Sequence, residues 1–342
     1  MKAARLHEYG KPLVIDEVPR PEPGPGQILV KIEGAGFCHS DLHIIGGELQ
    51  ILPRMPITMG HENAGIVAEI GDGVTAVEPG DAVAVFGGWG CGYCDFCVSG
   101  REQLCAAPEW VGLSKWDGGY AEYLLVPKQS YLVKLTTIEP KYAAPLTDAA
   151  LTPYRAIKKA FGFIEPDHPV LVIGAGGLGQ HAVKLLSILT GSPIFVADVD
   201  ESKLQTVKGY GATMTFDAND PEVAQQIRTA SNGLGVTAAF DFVGANETLA
   251  LAFSTTRSGG KVTQIGLAGG EAKMKLFDSA PFEVVFEGTL WGTIKELREV
   301  IALAESGVLT PIELEFEPLE RINEVYENLK AGKVSGRVVI TP

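Results

Sequence analysis

Apolar and polar residues alternate along several short segments of the first 145 residues. The segments are 27–32, 64–70 and 81–85, and stretches rich in Gly or Pro, such as 21–26, separate them. Alternation with a period of two is typical of strands that bury one face, and Gly and Pro are typical of the turns between strands. This part of the chain is therefore predicted to be a β-rich domain of the barrel or sandwich type.

The pattern changes near residue 146. An apolar run at 169–173 precedes a glycine-rich turn, after which apolar residues recur at helical spacing as far as Leu189. Further apolar runs follow at 194–197, 238–243 and 261–265, with helix-type sequence between them. Alternating strands and helices are typical of a doubly wound parallel sheet, so an α/β domain is predicted here.

The domain organisation follows from these two patterns. From about residue 286 the chain is mixed again, and it ends in a β-type segment at 337–340. We expect this tail to rejoin the first domain. That gives a discontinuous domain of residues 1–145 and 286–342 and an inserted domain of residues 146–285. The length of 342 residues is consistent with two domains.

Composition argues against several function classes. Apolar residues make up 46% of the chain and the formal net charge is -14. Nucleic acid and anionic membrane surfaces attract basic proteins, so neither is an expected partner. No apolar run approaches the roughly 18 residues that a transmembrane helix needs, and the N-terminus lacks a secretory signal pattern. A cytoplasmic location is expected.

The glycine-rich turn has the spacing G-x-G-x-x-G of a dinucleotide-binding fingerprint, between a predicted strand and helix. Glycines allow the tight turn, the approach of pyrophosphate to the backbone, and close packing of helix on strand. Asp198 ends the next strand, where its carboxylate would bind the adenosine ribose and repel a 2′-phosphate, so NAD is favoured over NADP. A turn that serves only packing is the alternative. The candidate cofactor residues of the turn are Gly174, Gly176, Gly177, Leu178 and Gly179.

Four of the five cysteines form one short run, Cys91, Cys94, Cys97 and Cys105. Thiolates this close in sequence repel one another unless a cation neutralises them, and four thiolates are a ligand set of structural zinc. An iron–sulfur cluster is the alternative, although the seven-residue gap before Cys105 fits ferredoxin spacings poorly.

The fifth cysteine, Cys38, and His61 are candidates for a second, catalytic zinc site with one open position. A third ligand is required, and no cysteine remains to supply it. Asp148 is chosen because it lies in an otherwise apolar stretch at the domain junction, where an unpaired charge would be costly. The alternatives are a buried apolar Cys38, a hydrogen-bonded His61 without a metal, and an Asp148 that caps a helix.

Together these residues give the chain a resemblance to the zinc-dependent medium-chain dehydrogenase/reductase family. Within the family it is most similar to the bacterial and archaeal branch that includes secondary-alcohol dehydrogenases. The resemblance covers essentially the whole chain and rests on 38–41, 60–62, 148–152, 174–179, 336–337 and the four-cysteine run. It implies a GroES-like β-rich catalytic domain, a Rossmann domain, NAD, and one catalytic and one structural zinc ion per chain. It also implies a homodimer or homotetramer, with 283–291 as a candidate for pairing between subunits.

The resemblance implies roles for further residues. Asp41 would hydrogen-bond the second ring nitrogen of His61. Glu62 would lie behind the zinc and enter its coordination transiently, which makes it an alternate ligand. Arg337 would contact the cofactor pyrophosphate. The other implied cofactor contacts are Lys203, Thr152, Ile265, Leu267 and His39, the last at a position where many relatives have Arg.

The implied activity is reversible hydride transfer from a primary or secondary alcohol to NAD⁺, which gives an aldehyde or ketone. Bound zinc strongly lowers the pKa of a ligated hydroxyl group. Ser40 and His43 are expected to carry the released proton to the surface, the alternative being that they cap a helix. The implied substrate pocket is apolar, although each of its residues could instead belong to the core: Trp89, Trp110, Leu290 and Trp291.

Two alternative functions stay open at this point. A polyol or other specialised zinc dehydrogenase would use the same scaffold, but an obvious polar pocket lining is absent from the sequence. A non-catalytic nucleotide-binding relative would keep the fold, but such relatives have lost the zinc ligands that this chain retains.

Overall fold

The computed structural model describes residues 1–271 and 282–342 of the chain. These residues form two compact units, Met1–Leu151 with Trp291–Pro342, and Thr152–Leu290. The sequence-based boundaries lie a few residues earlier in the chain. They differ at the second boundary because a strand near residue 286 pairs within the sheet of the second unit.

The N-terminal part of the first unit consists mainly of short strands. In β3 (Ile28–Phe37), Val30 and Ile32 are buried while Lys31 and Glu33 are exposed, so the alternating sequence places one face of the strand on the core. The strands of this part are β1 (Lys2–Leu6), β2 (Val14–Glu17), β3, β4 (Ile57–Thr58), β5 (Glu62–Ile70), β6 (Ala82–Val85), β7 (Tyr123–Val126) and β8 (Leu132–Lys134). The helices are α1 (His39–Gly46), α2 (Asp95–Val98) and α3 (Pro140–Ala143).

The second unit alternates helices and strands, as predicted. Its elements are α4 (Leu151–Ala160), which begins at the last residue of the first unit, and then β9 (Val170–Ile173), α5 (Gly177–Leu189), β10 (Ile194–Asp198), α6 (Glu201–Lys208), β11 (Met214–Asp217), α7 (Val223–Ala230), β12 (Val236–Asp241), α8 (Asn246–Thr255), β13 (Thr256–Gln264) and β14 (Val285–Gly288). The strands form one parallel sheet in the order β11-β10-β9-β12-β13-β14. This is the 3-2-1-4-5-6 order of a doubly wound fold, whose strand order reverses between β9 and β12. The predicted α/β class is confirmed.

The chain returns to the first unit in its last residues. The returning elements are α9 (Ile294–Glu305), β15 (Leu314–Pro318), α10 (Ile322–Lys330) and β16 (Arg337–Thr341). β16 pairs parallel with β15 and antiparallel with β3. It thereby joins a seven-stranded sheet with the path β15-β16-β3-β5-β6-β8, in which β7 also pairs with β3. A three-stranded sheet has the order β2-β1-β4.

Burial of apolar side chains holds the second unit together. A core cluster joins the strands to α7 and α8 and includes Leu171, Phe195, Ile227 and Phe253. Every residue of β9 is buried, as expected for a central parallel strand that is covered on both faces. Within residues 1–271 and 282–342, no helix combines the length and the apolar character that crossing a bilayer requires.

Candidate active site

The four cysteines of the run 91–105 lie together in one lobe of the first unit. The sulfur atoms of Cys91 and Cys97 are 3.9 Å apart, and those of Cys94 and Cys105 are 3.8 Å apart. All four sulfurs lie within 4.8 Å of one another. Tetrahedral coordination with Zn–S bonds of about 2.3 Å places sulfur atoms about 3.8 Å apart. The donor set and its spacing therefore fit a structural zinc ion.

The thiols of this run differ in pKa when no metal ion is bound. A hydrogen bond from the Cys97 backbone lowers the pKa of the Cys94 thiol to about 6, whereas burial raises the pKa of the Cys97 thiol to about 12. The protein alone therefore does not hold four thiolates near neutral pH, and a cation is needed to make all four cysteines ligands. Close packing adds a constraint at Gly90, where a Cβ would lie 2.6 Å from Cys97 Sγ.

Trp89 is fully buried beside this lobe. Its ring stacks on Tyr131 with centroids 5.7 Å apart and meets Trp116 edge-on at 5.9 Å. The Tyr131 hydroxyl accepts a hydrogen bond from the N–H of Gly90 at 3.2 Å and donates one to its C=O at 3.0 Å. The indole N–H of Trp89 donates to the carbonyl of Phe86. These contacts make Trp89 a core residue rather than a pocket wall.

The second predicted set of ligands also comes together within the first unit. Cys38 follows β3 and caps the start of α1, His61 directly precedes β5, and Asp148 follows a short helical turn. Asp148 Oδ2 is 3.9 Å from Cys38 Sγ and 3.7 Å from His61 Nε2. These three residues and Glu62 offer ligand atoms within 4.8 Å of one another. The cluster joins one thiol, one imidazole and carboxylates, which is the donor set of a catalytic zinc site.

The orientation of His61 fits metal binding through Nε2. Its Nδ1 lies 3.4 Å from Asp41 Oδ1, on the side away from Asp148, and its Nε2 lies 3.4 Å from Ser40 Oγ. Burial lowers the pKa of His61, but the negative charge of Asp41 and hydrogen bonding with Asp148, Asp41 and Cys38 together outweigh burial and leave this pKa well above its ordinary value. Asp41 thus lies beside Nδ1, the nitrogen that the resemblance pairs with it, while the hydrogen bond between them stays a prediction.

Glu62 and Arg337 form a buried ion pair that the sequence did not indicate. The Nε of Arg337 donates to Glu62 Oε2 at 3.0 Å, and a second guanidinium nitrogen donates to Oε1. Burial raises the pKa of Glu62 to about 7, against the opposing charge of Arg337. Because Arg337 binds both oxygens of Glu62, Asp148 is the better candidate for the third zinc ligand. The predicted contact of Arg337 with pyrophosphate stays a prediction.

One of the predicted pocket tryptophans, Trp291, lies beside His61 of the ligand cluster, and a second, Trp110, contacts Trp291. The Trp291 ring meets His61 edge-on with centroids 5.7 Å apart, and Trp110 lies 6.1 Å from Trp291. The indole N–H of Trp291 donates to the carbonyl of Thr147 at 3.1 Å, which fixes its ring next to the turn that carries Asp148. Trp291 and the Trp110 ring packed on it thus form an aromatic wall that contacts the cluster through Trp291. Leu290 belongs to the second unit and is 36% exposed.

The glycine-rich turn of the second unit has the predicted geometry. Gly174 has a φ of 89°, in the left-handed region, and a Cβ at Gly179 would lie 1.8 Å from the Gly174 carbonyl oxygen. Gly176 caps α5, and a Cβ there would meet no atom within 4 Å. A packing role explains Gly174 and Gly179 but not Gly176. The open space at the helix N-terminus is a cradle for a phosphate group, so this turn fits a dinucleotide.

Asp198 is tied to this turn by the backbone. Its Oδ2 accepts a hydrogen bond from the N–H of Ala175 at 2.5 Å, and its Oδ1 accepts one from the N–H of Asp200 at 2.9 Å. The carboxylate therefore stands at the end of β10 with a fixed orientation. Lys203, predicted to support the same ribose, lies in the first turn of α6 with its Nζ 3.9 Å from Asp200 Oδ2.

The structure gives the positions of the remaining predicted residues, and their roles stay predictions. His39 is exposed and His43 half-buried, both on α1 of the first unit. Thr152 and Ile265 are buried and Leu267 is 51% exposed, all three in the second unit.

Sequence reasoning missed Tyr120, whose hydroxyl donates to Asp41 Oδ2 at 2.7 Å. Burial holds the pKa of this hydroxyl well above its ordinary value, so it remains a donor. The two residues are 79 positions apart, and no spacing rule connects residues so distant in sequence.

Comparison with known proteins places both units in one family. Residues 24–137 match the family described as Alcohol dehydrogenase GroES-like domain, and residues 177–306 match the family described as Zinc-binding dehydrogenase. The NAD-dependent alcohol dehydrogenase of Sulfurisphaera tokodaii is 38% identical, over 100% of both chains. This chain belongs to the zinc-binding alcohol dehydrogenase family.

Solved structures of this zinc-binding alcohol dehydrogenase family agree with that assignment. The alcohol dehydrogenase of Aeropyrum pernix has a TM-score of 0.92 and 38% identity, and the match covers 100% of both chains. The D-arabinose dehydrogenase of Sulfolobus solfataricus has a TM-score of 0.87 and 30% identity, covering 100% of this chain and 99% of that one. The first unit of this family member is thus GroES-like and its second unit is of the Rossmann type.

Proposed function

We propose that this chain is an NAD-dependent zinc alcohol dehydrogenase that catalyses reversible hydride transfer between a primary or secondary alcohol and NAD⁺. The observation that carries the proposal is the cluster of Cys38, His61 and Asp148, whose ligand atoms have separations close to those of a tetrahedral zinc site. Full-length relatives named NAD-dependent alcohol dehydrogenase support the activity.

One catalytic and one structural zinc ion per chain are proposed. Cys38, His61 and Asp148 would hold the catalytic ion, and a thiolate, a neutral imidazole and a carboxylate together balance its charge. When bound, zinc acts as a Lewis acid that lowers the pKa of a substrate hydroxyl, and NAD⁺ accepts the hydride. Glu62 is an alternate ligand only when Arg337 releases it.

Ser40 and His43 are proposed to move the hydroxyl proton. Ser40 Oγ lies 3.4 Å from His61 Nε2, so it is within reach of a hydroxyl group that approaches the ligand cluster. It accepts that proton at Oγ and passes it toward His43, which lies one helical turn further along α1 and is partly exposed. The helix-cap alternative is disfavoured, because the N-cap of α1 is Cys38 and its C-cap is Gly47.

The aromatic wall of Trp110 and Trp291 supports an apolar substrate. The ring of Trp291 lies against His61 and the ring of Trp110 packs on Trp291, so this wall would exclude water from the reacting hydroxyl and favour hydrophobic substituents. A polyol would need polar partners for each further hydroxyl group. The wall therefore favours a simple alcohol or ketone.

NAD is the proposed cofactor. The carboxylate of Asp198 would accept hydrogen bonds from the adenosine ribose, and a 2′-phosphate at the same place would meet a negative charge. The open turn at Gly176 would receive the pyrophosphate. The further contacts stay proposals for this chain: Lys203, Arg337, Thr152, Ile265, Leu267 and His39.

A second candidate function is a polyol or sugar dehydrogenase on the same scaffold. The observation in its favour is the relative named D-arabinose 1-dehydrogenase (NADP(+)), which is 35% identical over 100% of this chain. The aromatic wall and Asp198 speak against a polar substrate and against NADP respectively. A non-catalytic relative is disfavoured because the ligand atoms of the cluster are still grouped.

We also propose a homodimer or homotetramer. β14 is the last strand of the parallel sheet in the described residues, and Val285 and Phe286 on it are 42% and 46% exposed. An exposed apolar edge strand is a site for pairing with another chain. A cytoplasmic location stays a prediction, supported by five cysteines that form no disulfide bond.

The test is a panel of primary and secondary alcohols with NAD⁺ and NADP⁺, which also includes D-arabinose. We expect hydrophobic secondary alcohols with NAD⁺ to give the highest kcat/KM. Ser40→Ala should lower kcat at least about tenfold with unchanged zinc content. Ser187→Ala, at an exposed position on α5, should leave kcat at the wild-type value. Oxidation of D-arabinose alone would favour the second candidate, and no NAD-linked oxidation by zinc-loaded protein would overturn the proposal.

A further inference from the structure

Tyr120 is a fully buried tyrosine beneath the ligand cluster of the first unit. Its hydroxyl donates to Asp41 Oδ2 at 2.7 Å, and the carbonyl oxygen of Gly36 lies 3.1 Å away. A hydroxyl has one proton to donate. The shorter contact and the negative charge of the carboxylate favour Asp41 as its acceptor, because hydrogen bonds to ionised groups are about twice as strong as neutral ones.

The ring of Tyr120 contacts both chain segments that carry ligands. It stacks on Phe37, the residue before Cys38, with ring centroids 5.5 Å apart and an interplanar angle of 16°. It also packs against Gly60, the residue before His61, where a Cβ would lie 2.8 Å from Tyr120 Cδ1.

Asp41, the acceptor of the Tyr120 hydroxyl, also contacts the same two ligand-carrying segments. Its Oδ2 also accepts a hydrogen bond from the backbone N–H of Cys38 at 2.9 Å, and its Oδ1 faces His61 Nδ1 at 3.4 Å. Asp41 is fully buried, so water does not compete for its oxygens. The direction in which Oδ1 points is therefore set by the two donors on Oδ2, one of which is the hydroxyl of Tyr120.

We infer that Tyr120 is a positioning residue of the catalytic metal site, which fixes Asp41 through its hydroxyl and thereby fixes the ring of His61. This inference rests on the proposed function, since it concerns the proposed catalytic zinc. Residues that orient metal ligands from outside the ligand shell typically change metal affinity about 10-fold to 100-fold when mutated. Tyr120 acts through one more residue, so we expect the lower end of that range.

Tyr120→Phe is the decisive variant, because it keeps the ring on Phe37 and Gly60 and removes only the hydroxyl. Tyr131→Phe is the control: it also removes a hydroxyl from a buried tyrosine, one that contacts Gly90 beside the four-cysteine lobe. Zinc-loaded full-length proteins are mixed with a chromogenic chelator, and the release of zinc is followed in time. We expect one of the two ions to leave Tyr120→Phe about tenfold faster than wild type, whereas Tyr131→Phe should leave that ion unaffected.

A double-mutant cycle with Asp41→Asn separates positioning from general packing. If Tyr120 acts through Asp41, adding Tyr120→Phe to Asp41→Asn should not accelerate zinc release further. Two outcomes would overturn the inference: wild-type release from Tyr120→Phe, or independent effects of the two substitutions that multiply in the double variant. Equal acceleration at both zinc sites would also overturn it, as a sign of general destabilisation. A wild-type protein that binds only the four-cysteine zinc would instead refute the proposed function.

Discussion

Asp148 Oδ2 lies 3.9 Å from the sulfur of Cys38 and so stands where a third ligand can complete a metal site. The other nearby carboxylate, Glu62, is bound through both oxygens by Arg337. Asp148 is therefore tested as a metal ligand, and Glu62 as the partner of a buried ion pair.

Asp148→Asn should empty the catalytic site and leave the four-cysteine site filled. A neutral amide is a poor zinc ligand, so zinc content should fall from about two ions to about one ion per chain. Loss of the zinc ion removes several kcal/mol of transition-state stabilisation, so kcat/KM should fall at least about 100-fold. Metal analysis and steady-state kinetics measure both effects. Asp148→Cys should retain zinc, and Asp167→Asn, whose side chain is 82% exposed, should match wild type.

Gly176→Ala should weaken NAD binding without harming the fold. The added methyl enters open space, so stability should not change, but it occupies the cradle proposed for the pyrophosphate. We expect a rise of about tenfold or more in the Kd for NADH, which corresponds to about 1.4 kcal/mol. Gly162→Ala is the control, because its Cβ also meets no atom within 4 Å. Equal affinities of the two variants in a fluorescence titration would refute the cradle.

Arg337→Met should destabilise the fold, because it leaves the buried carboxylate of Glu62 without its partner. The loss of one member of a buried ion pair typically costs about 3–5 kcal/mol. The double variant with Glu62→Gln should recover part of this loss. Arg321→Met is the comparison, since Arg321 is 48% exposed and bound to surface glutamates, and should cost less than about 1 kcal/mol. Urea unfolding with each variant gives these free energies, and similar losses for both arginines would contradict the pair.

Tyr131 should make stability depend on pH in the alkaline range. Burial raises the pKa of Tyr131 to about 12 in the folded protein, and the unfolded chain ionises near about 10. Between about pH 10 and about pH 12 the unfolded state releases this proton while the folded state keeps it. The unfolded state is therefore increasingly favoured as pH rises through that window.

Tyr131→Phe removes that contribution, so its free energy of unfolding should fall less steeply than that of wild type from about pH 10 upward. Tyr93→Phe, at a position that is 79% exposed, should follow the wild-type slope. Identical slopes for wild type and Tyr131→Phe would contradict the assignment.

Local spacing predicted much of this protein. The four cysteines lie close in sequence, and a short loop and one helical turn bring their sulfurs together, so their grouping follows from the sequence alone. Gly174 and Gly179 are likewise explained by local backbone requirements. Asp148 was predicted by a different argument, namely that no cysteine remained to complete the Cys38 site.

Contacts between distant segments were not predictable in this way. Arg337 and Glu62 are 275 positions apart. Both have charged side chains, which are usually exposed, and their burial becomes evident only when β16 pairs with β3. Tyr120 looks like an ordinary aromatic core residue in the sequence. The environment of Trp89 was also not predictable, because a large aromatic side chain is equally compatible with a substrate pocket and with the core. Its contacts with Tyr131 and Trp116 place it in the core.

The ligand set of the catalytic metal can be observed in an anomalous difference map collected at the zinc edge from crystals of the full chain. One peak should be enclosed by the four sulfurs of Cys91, Cys94, Cys97 and Cys105. A second peak should be bonded to Cys38 Sγ, His61 Nε2 and a carboxylate oxygen of Asp148. A second peak bonded to Glu62 in place of Asp148, or no second peak in zinc-loaded protein, would contradict this ligand set.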